Sequence, residues 1–119
     1  MNIEELKRKW GGSLPQVGDW VEQNNIYFKI GALGILSIIP ISCNPVRLTP
    51  ELIETLQEQN PETKELFCDA LLSWEENYLL IEGRDFWGDY YEITRLEYFH
   101  QVQQLYRMLT KGKELTYTP

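Results

Sequence analysis

The sequence predicts an α+β fold, a single domain in which helices pack on a mainly antiparallel sheet. Three observations predict it. Two runs of β-forming residues flank Asn24-Asn25, helix starts of the type Xaa-Pro occur at Thr49-Pro50 and Asn60-Pro61, and a helical repeat of apolar residues closes the chain. The predicted order is a helix, three antiparallel strands, a helical pair, two strands and a C-terminal helix.

The first part of the chain predicts a helix and a hairpin. Apolar residues at spacings of three and four predict a short amphipathic helix over 3–9, which ends at Gly11-Gly12. Residues 19–23 and 26–30 are rich in aromatic and β-branched side chains and predict paired strands. Asn24-Asn25 tolerates the positive φ angles that a two-residue hairpin turn demands.

The middle of the chain predicts a third strand and a helical pair. The β-branched run 35–39 favours a strand, which Pro40 limits or ends. Thr49 and Asn60 each precede a proline and predict N-caps, either of two consecutive helices or of one broken helix. In the second helix of the pair one apolar face is formed at helical spacing by Leu66, Phe67, Ala70, Leu71 and Trp74.

The last third predicts a hairpin and a capped helix. Residues 78–82 and 89–93 bracket a loop containing Gly83 and Gly88. The sequence Thr94-Arg95-Leu96-Glu97 reads as a capping box, with Ile93 and Tyr98 as a hydrophobic staple. The helix then buries one face, ends at Lys111-Gly112, and completes one domain over residues 1–112. We expect residues 113–119 to be a flexible C-terminal tail. The predicted helix face consists of Leu96, Phe99, Val102, Tyr106 and Leu109.

Charge is concentrated in one part of the chain. The formal net charge is -7, and the segment from Glu51 to Glu92 alone carries twelve acidic and two basic residues. A strongly acidic chain disfavours nucleic acid and anionic lipid as partners, so we expect neither. The acidic segment is either the solvated side of helices or a surface that attracts a basic protein segment. The N-terminal sequence lacks the apolar core of a signal peptide, which predicts a cytoplasmic location.

Residues that support catalysis or metal binding are sparse. Cys43 and Cys68 have no partner at metal-ligand spacing and read as reduced core thiols. His100 is the only histidine, and we interpret it as a solvent-facing helix residue. The carboxylate pairs Glu75-Glu76 and Asp85 with Asp89 have generic spacing and match no EF-hand loop. We therefore expect no catalytic residue, no metal site and no cofactor.

Aromatic residues supply the candidate binding site. Nine of the fifteen lie between Trp74 and Tyr106. Strand alternation places Tyr90 and Tyr91 on opposite faces of the sheet, so apolar side chains occupy both faces. Phe86 and Trp87 fall in a loop, where they are either folded back as a plug or displayed for a partner. The predicted protein-binding residues are Trp20, Tyr27, Phe86, Trp87 and Tyr91.

The chain resembles the class I type III secretion chaperones in three features. These are the order of its elements, its low isoelectric point and the closing run from Tyr78 to Leu109. The resemblance lies in topology and composition. It implies a domain without catalysis that binds an extended segment of a client protein. It also implies a homodimer, with the helical pair from Pro50 to Trp74 at the contact. This chain departs from the family pattern in its short first helix and in the prolines at positions 50 and 61.

We therefore expect a non-enzymatic adaptor or an assembly or secretion chaperone that holds a segment or tail of a client protein. One alternative is an acidic immunity or antitoxin-type inhibitor of a basic toxin. Another is an accessory factor for assembly of a carboxysome shell or a light-harvesting complex in a photosynthetic bacterium.

Overall fold

The computed structural model describes residues 2–31, 38–67 and 71–119 and confirms the α+β class. The strands form two antiparallel sheets, with orders β2-β1-β3 and β4-β5-β6. Among the described residues, no helix is long and apolar enough to cross a membrane. The elements in chain order are α1 (Ile3–Lys9), β1 (Trp20–Gln23), β2 (Ile26–Lys29), α2 (Ile39–Ser42), β3 (Asn44–Pro45), α3 (Pro50–Gln59), α4 (Thr63–Leu66), β4 (Leu72–Trp74), β5 (Leu79–Arg84), β6 (Tyr90–Leu96) and α5 (Phe99–Leu109).

The chain divides into two compact units. The first unit contains Met1–Arg47 and Tyr98–Glu114, and the second contains Leu48–Glu97 and Leu115–Pro119. Each unit holds one of the two sheets, since β1, β2 and β3 precede Leu48 and β4, β5 and β6 follow it.

The first hairpin is confirmed. Asn24 and Asn25 have φ angles of 53° and 64°, the left-handed conformation of a two-residue turn. Val21 pairs with Phe28 on the core side of the hairpin. One hydrophobic cluster in the core of this unit contains Trp10, Val21, Ile30 and Cys43, with Leu14, Phe28 and Ile39 packed against it.

The third strand occurs elsewhere than the sequence predicts. Residues 35–37 of the expected strand 35–39 lie outside the described residues, and Ile39 begins α2. Pro40 lies in the first turn of that helix, where its missing N–H costs nothing. The strand that pairs with β1 is β3, immediately after Cys43. Cys43 is a buried free thiol, whereas Cys68 lies outside the described residues.

In the first unit, polar side chains of α5 bind the irregular segment 10–20. The Gln101 amide donates to the Gly11 carbonyl at 2.8 Å. The Gln103 side-chain amide donates to the Gly18 carbonyl at 2.9 Å, and its oxygen accepts from the backbone N–H of Trp20 at 2.8 Å. Arg107 pairs with the buried Asp19 at 2.7 Å. Side chains of the helix thereby satisfy part of the backbone groups of a segment that has no regular structure before β1 begins at Trp20.

The second unit begins with a confirmed cap. The Thr49 hydroxyl accepts from the Leu52 N–H at 3.1 Å, and Pro50 opens α3. Asn60 is not the predicted N-cap, because it ends α3 and its side chain binds Thr116 and the Leu56 carbonyl. Among the residues of this unit that the structure describes, the buried apolar ones are Leu48, Leu52, Ile53, Leu56, Phe67, Leu79 and Leu115.

The predicted second helix of the pair is only one turn long. The helix α4 ends at Leu66, residues 68–70 lie outside the described residues, and Leu72–Trp74 is strand β4. Phe67 and Trp74 therefore do not share the face of one helix. Their rings still contact each other, edge to face at 5.3 Å between centroids, because β4 pairs with β5 and carries Trp74.

The predicted capping box is also wrong. Thr94 lies within β6, opposite Ile81, so its hydroxyl caps no helix. The helix α5 begins four residues later than expected, and Gln101 accepts from the Tyr98 N–H at 3.2 Å as the N3 residue of the actual cap. Phe99, Val102 and Tyr106 are buried as predicted, while Leu109 is exposed.

Residues 113–119 make specific contacts rather than form the expected loose tail. Leu115 is buried, and the Thr116 N–H donates to the Asn60 side chain at 2.8 Å. The Gln59 amide group donates to the Thr118 carbonyl at 2.8 Å and accepts from its N–H at 2.7 Å. The segment Leu115–Pro119 thus belongs to the second unit and pairs with the end of α3.

Candidate functional site: an exposed aromatic hairpin

Two large aromatic side chains project into solvent from the second unit. Phe86 is 94% exposed and Trp87 is 83% exposed. They occupy the turn between β5 and β6, and their rings contact each other edge to face at 5.6 Å between centroids. We call the segment 79–96 the aromatic hairpin and residues 85–89 its tip. The alternative in which this pair folds back as a plug is wrong, because neither ring is covered.

The tip is held by one carboxylate. Asp85 Oδ1 accepts hydrogen bonds from the backbone N–H groups of Trp87 and Asp89, both at 2.9 Å. The backbone closes the same turn, since the Asp85 N–H donates to the Asp89 carbonyl and the Gly88 N–H donates to the Asp85 carbonyl. Gly88 has a φ angle of 87°, which favours glycine there. The tip therefore presents its two rings on a braced turn rather than on a loose loop.

Strand β6 extends the apolar surface away from the tip. Tyr90 is 50% exposed, Tyr91 is 52% exposed and Ile93 is 59% exposed. The strand lies at the edge of its sheet, next to β5 alone among the described strands. The register shifts so that Ile81 pairs with Thr94 and Glu82 pairs with Glu92, which leaves Ile93 as the extra residue of a bulge. A bulge bends the edge strand and makes it a poorer template for a further strand, so we take the exposed side chains rather than the free edge as the candidate surface.

Tyr91 packs on the backbone of its own hairpin. It pairs with Gly83 across the strands, and its ring atoms lie 2.5–2.8 Å from the point that a Cβ on Gly83 would occupy. Glycine at position 83 thus leaves the space that the Tyr91 ring occupies beside β5. About half of Tyr91 nevertheless remains exposed to solvent.

Both arginines of the hairpin stack on tyrosine rings. The Arg84 guanidinium lies 5.6 Å from the centroid of Tyr90, and that of Arg95 lies 4.6 Å from Tyr78. Arg95 also pairs with Glu92 at 2.6 Å, and this carboxylate raises the pKa of the guanidinium above its ordinary value. Cation–π contacts of this kind fix long side chains over aromatic faces.

The remaining predicted binding residues lie in the first unit. Trp20 pairs with Lys29 and Glu22 pairs with Tyr27, so strand alternation places Trp20 and Tyr27 on the same side of that hairpin. Trp20 is half-buried and Tyr27 is 43% exposed. An open surface cavity of about 340 Å³ includes Tyr27 in its lining. The lining residues are Glu22, Asn25, Tyr27, Pro45, Val46 and Arg47.

His100 is buried, which corrects the prediction of a solvent-facing side chain. Its Nε2 lies 2.7 Å from the Ser13 carbonyl oxygen and 3.0 Å from that of Trp10, so this nitrogen carries the proton. The ring contacts Trp10 edge to face and stacks on Tyr98. Burial lowers the pKa of His100, against the opposing effects of the two carbonyls and of Asp19. The residue braces segment 10–13 on α5.

Metal ligands do not cluster in the described part of the chain. No group of three or more His, Cys, Asp or Glu side chains there could hold a metal ion. The pair Asp85 and Asp89, weighed from the sequence as a carboxylate pair, has a structural task, because Asp85 binds the backbone of the tip.

Sequence reasoning placed Phe86, Trp87 and Tyr91 on the same hairpin but missed the side chain that organises them. The spacing Asp85-x-x-Gly88 is a turn signature that points to this role. Tyr90 and Ile93, which extend the exposed surface, were also missed as candidates. Comparison with protein-family models, curated proteins and solved structures gives no match for this chain.

Proposed function

We propose that this protein is a non-enzymatic binding protein that holds a segment of a client protein on the aromatic hairpin. It acts as an adaptor or as an assembly or secretion chaperone. The observation that carries the proposal is the exposure of Phe86 and Trp87 on a turn braced by Asp85.

The energetics of exposed aromatic rings support a binding role. Each ring buries a large apolar area when covered, and aromatic side chains are enriched among the residues that dominate binding energy. Folding of the chain leaves these two rings in water. Because the turn is already ordered, a client pays little conformational entropy to use it.

The test is affinity capture with matched variants of the full chain. The wild-type protein, the double variant Phe86→Ala/Trp87→Ala and the control Met108→Ala are tagged and exposed to a lysate of the source organism. Met108 is 79% exposed on α5 in the first unit, so the control removes an exposed apolar side chain elsewhere. Captured proteins are quantified by mass spectrometry, and thermal unfolding verifies that each variant folds.

A client held on the hairpin is captured in stoichiometric amount by the wild type and by Met108→Ala. Its amount falls at least about tenfold with the double variant, because removal of a binding hot spot costs about 2 kcal/mol or more. A captured protein that both variants retain equally would place the binding surface elsewhere and contradict the proposal.

The charge of the second unit favours a second candidate, an acidic inhibitor of a basic toxin. That unit carries thirteen acidic and three basic residues, a net charge of -10. An inhibitor of this kind is held by its acidic residues, so its complex with the toxin keeps its lifetime when Phe86 and Trp87 are removed, whereas a client held by aromatic contacts dissociates faster without the two rings. The dissociation rate of the captured complex from the double variant distinguishes the two candidates.

A further inference from the structure

The aromatic hairpin already shows which chemistry its rings accept. Arg84 lies over Tyr90 of the hairpin, and Arg95 lies over Tyr78, the residue just before β5, so both arginines of the hairpin already stack on tyrosine rings. Trp87 and Phe86 are the most exposed rings of the hairpin. Within the part of the chain that the structure describes, no lysine or arginine lies over either of these two rings. Tryptophan is the side chain that attracts a cation most strongly through its ring face.

The charge around these rings has the sign that favours a cation. The hairpin 79–96 carries four acidic and two basic residues, and both basic side chains are engaged in the contacts just described. Asp89 and Glu92 are exposed, and they flank Tyr90 and Tyr91 in the sequence. The unit as a whole carries a net charge of -10. This charge repels an acidic segment, and it also opposes the pairing of two such units from two copies of the chain.

We infer that the client segment bound by the aromatic hairpin presents arginine or lysine side chains that stack on Trp87 and Phe86. The inference rests on the proposed function and specifies the chemistry of its partner. The cation lies on the ring face while neighbouring carboxylates supply long-range attraction. An arginine suits this arrangement best, since its planar guanidinium stacks on aromatic rings and is weakly hydrated.

The experiment compares two short synthetic peptides against the full-length protein. One alternates arginine with leucine, and the other carries citrulline in place of each arginine. Citrulline keeps the planar shape and removes the charge. Binding is followed through the indole N–H signals of protein labelled with nitrogen-15. The signal of Trp87 is identified by its loss in Trp87→Phe, and the signals of Trp10, Trp20 and Trp74 serve as internal references.

The arginine peptide is expected to shift the Trp87 signal in a saturable way, while the citrulline peptide binds about tenfold more weakly. The Phe86→Ala variant binds the arginine peptide more weakly than the wild type does. The Met108→Ala variant binds it with unchanged affinity. Equal affinity for the two peptides overturns the inference. So does a titration in which the arginine peptide leaves the Trp87 signal in place.

Failure of this inference is distinct from failure of the proposed function. If the double variant Phe86→Ala/Trp87→Ala loses a captured client while the two peptides bind equally, the hairpin binds protein segments and the cationic specificity is wrong. If capture is the same with and without the two rings, the proposed function itself is wrong.

Discussion

A single side chain, Asp85, organises the exposed tip of the aromatic hairpin. Its Oδ1 binds two backbone N–H groups that otherwise have to be satisfied by water. We predict that Asp85→Ala lowers the free energy of unfolding by about 1 kcal/mol, the typical net value of such hydrogen bonds. It also weakens client binding, because the two rings lose their fixed presentation. Chemical denaturation and capture of the client measure the two effects.

The matched control is Asp85→Asn. An asparagine side chain keeps one oxygen acceptor and favours the same turn, so this variant retains most of the stability and of the binding. If Asp85→Asn weakens binding as much as Asp85→Ala does, the charge of the carboxylate matters at this position and not its role in the turn.

His100 predicts a dependence of stability on pH. Burial lowers its folded-state pKa, whereas the unfolded chain titrates near the ordinary value of about 6.5. As the pH falls below about 6.5, the unfolded state takes up a proton that the folded state does not bind. Stability is thus fully present above this pH, and each pH unit below it costs up to about 1.4 kcal/mol until the folded pKa is reached. Denaturation between about pH 7 and about pH 5 measures the slope, above the range where carboxylates titrate.

The variant His100→Gln separates this effect from all other titrations. Its amide N–H can still donate to the Ser13 carbonyl, and it has no charge to gain. We expect the slope below about pH 6.5 to disappear in this variant. An unchanged slope would assign the pH dependence to other groups.

At the scale of elements, Gly83 and Tyr91 couple β5 to β6. A Cβ at position 83 would meet the Tyr91 ring at 2.5–2.8 Å, so the ring has to move. We predict that Gly83→Ala costs about 1–3 kcal/mol of unfolding free energy, the range for overpacking. In the background of Tyr91→Ala the same change is neutral or stabilising, because alanine suits a strand better than glycine does. Urea denaturation of the four proteins in this cycle gives the coupling energy.

The coupling is the decisive quantity. An equal cost of Gly83→Ala with and without the tyrosine ring would mean that the backbone of β5, and not the packing of Tyr91, requires glycine.

Local signals in the sequence identified the elements that depend on neighbouring residues. Three features follow from residues that are close together in the sequence. They are the turn at Asn24-Asn25, the cap at Thr49 and the buried face of α5. The failures have a common cause. Thr94 and Trp74 carry helical signals, but each pairs with β5 across a sheet, and single-sequence patterns do not reveal such partners.

The candidate site shows the same division. The aromatic content of segment 86–91 is visible in the sequence, and so is the turn signature at Asp85. Whether Phe86 and Trp87 are covered depends on packing that no local pattern reports. His100 is the opposite case, because its burial depends on a segment about 90 residues earlier in the chain, whose carbonyl groups bind its ring nitrogen.

At the scale of the whole molecule, charge divides between the two units. The second unit has a net charge of -10, and the first unit carries eight basic and five acidic residues, a net of +3. The total of -7 therefore understates the charge of the unit that contains the aromatic hairpin. Fields of this kind raise the rate of encounter with an oppositely charged partner more than they change the lifetime of the complex.

We predict that a client with a basic segment associates at least about tenfold more slowly when the ionic strength rises from about 0.01 M to about 0.15 M, since the screening length shortens from about 30 Å to about 8 Å. Stopped-flow measurement of association with the captured client gives this rate.

The variant Glu54→Gln/Glu58→Gln removes two exposed carboxylates of α3 in the second unit and slows association at low salt. The control Lys7→Gln/Arg8→Gln removes two exposed cations of α1 in the first unit and leaves the rate unchanged or raises it. An association rate that salt and both double variants leave unaltered would mean that the acidic residues of the second unit only solvate its surface, and the aromatic rings alone would then account for recognition.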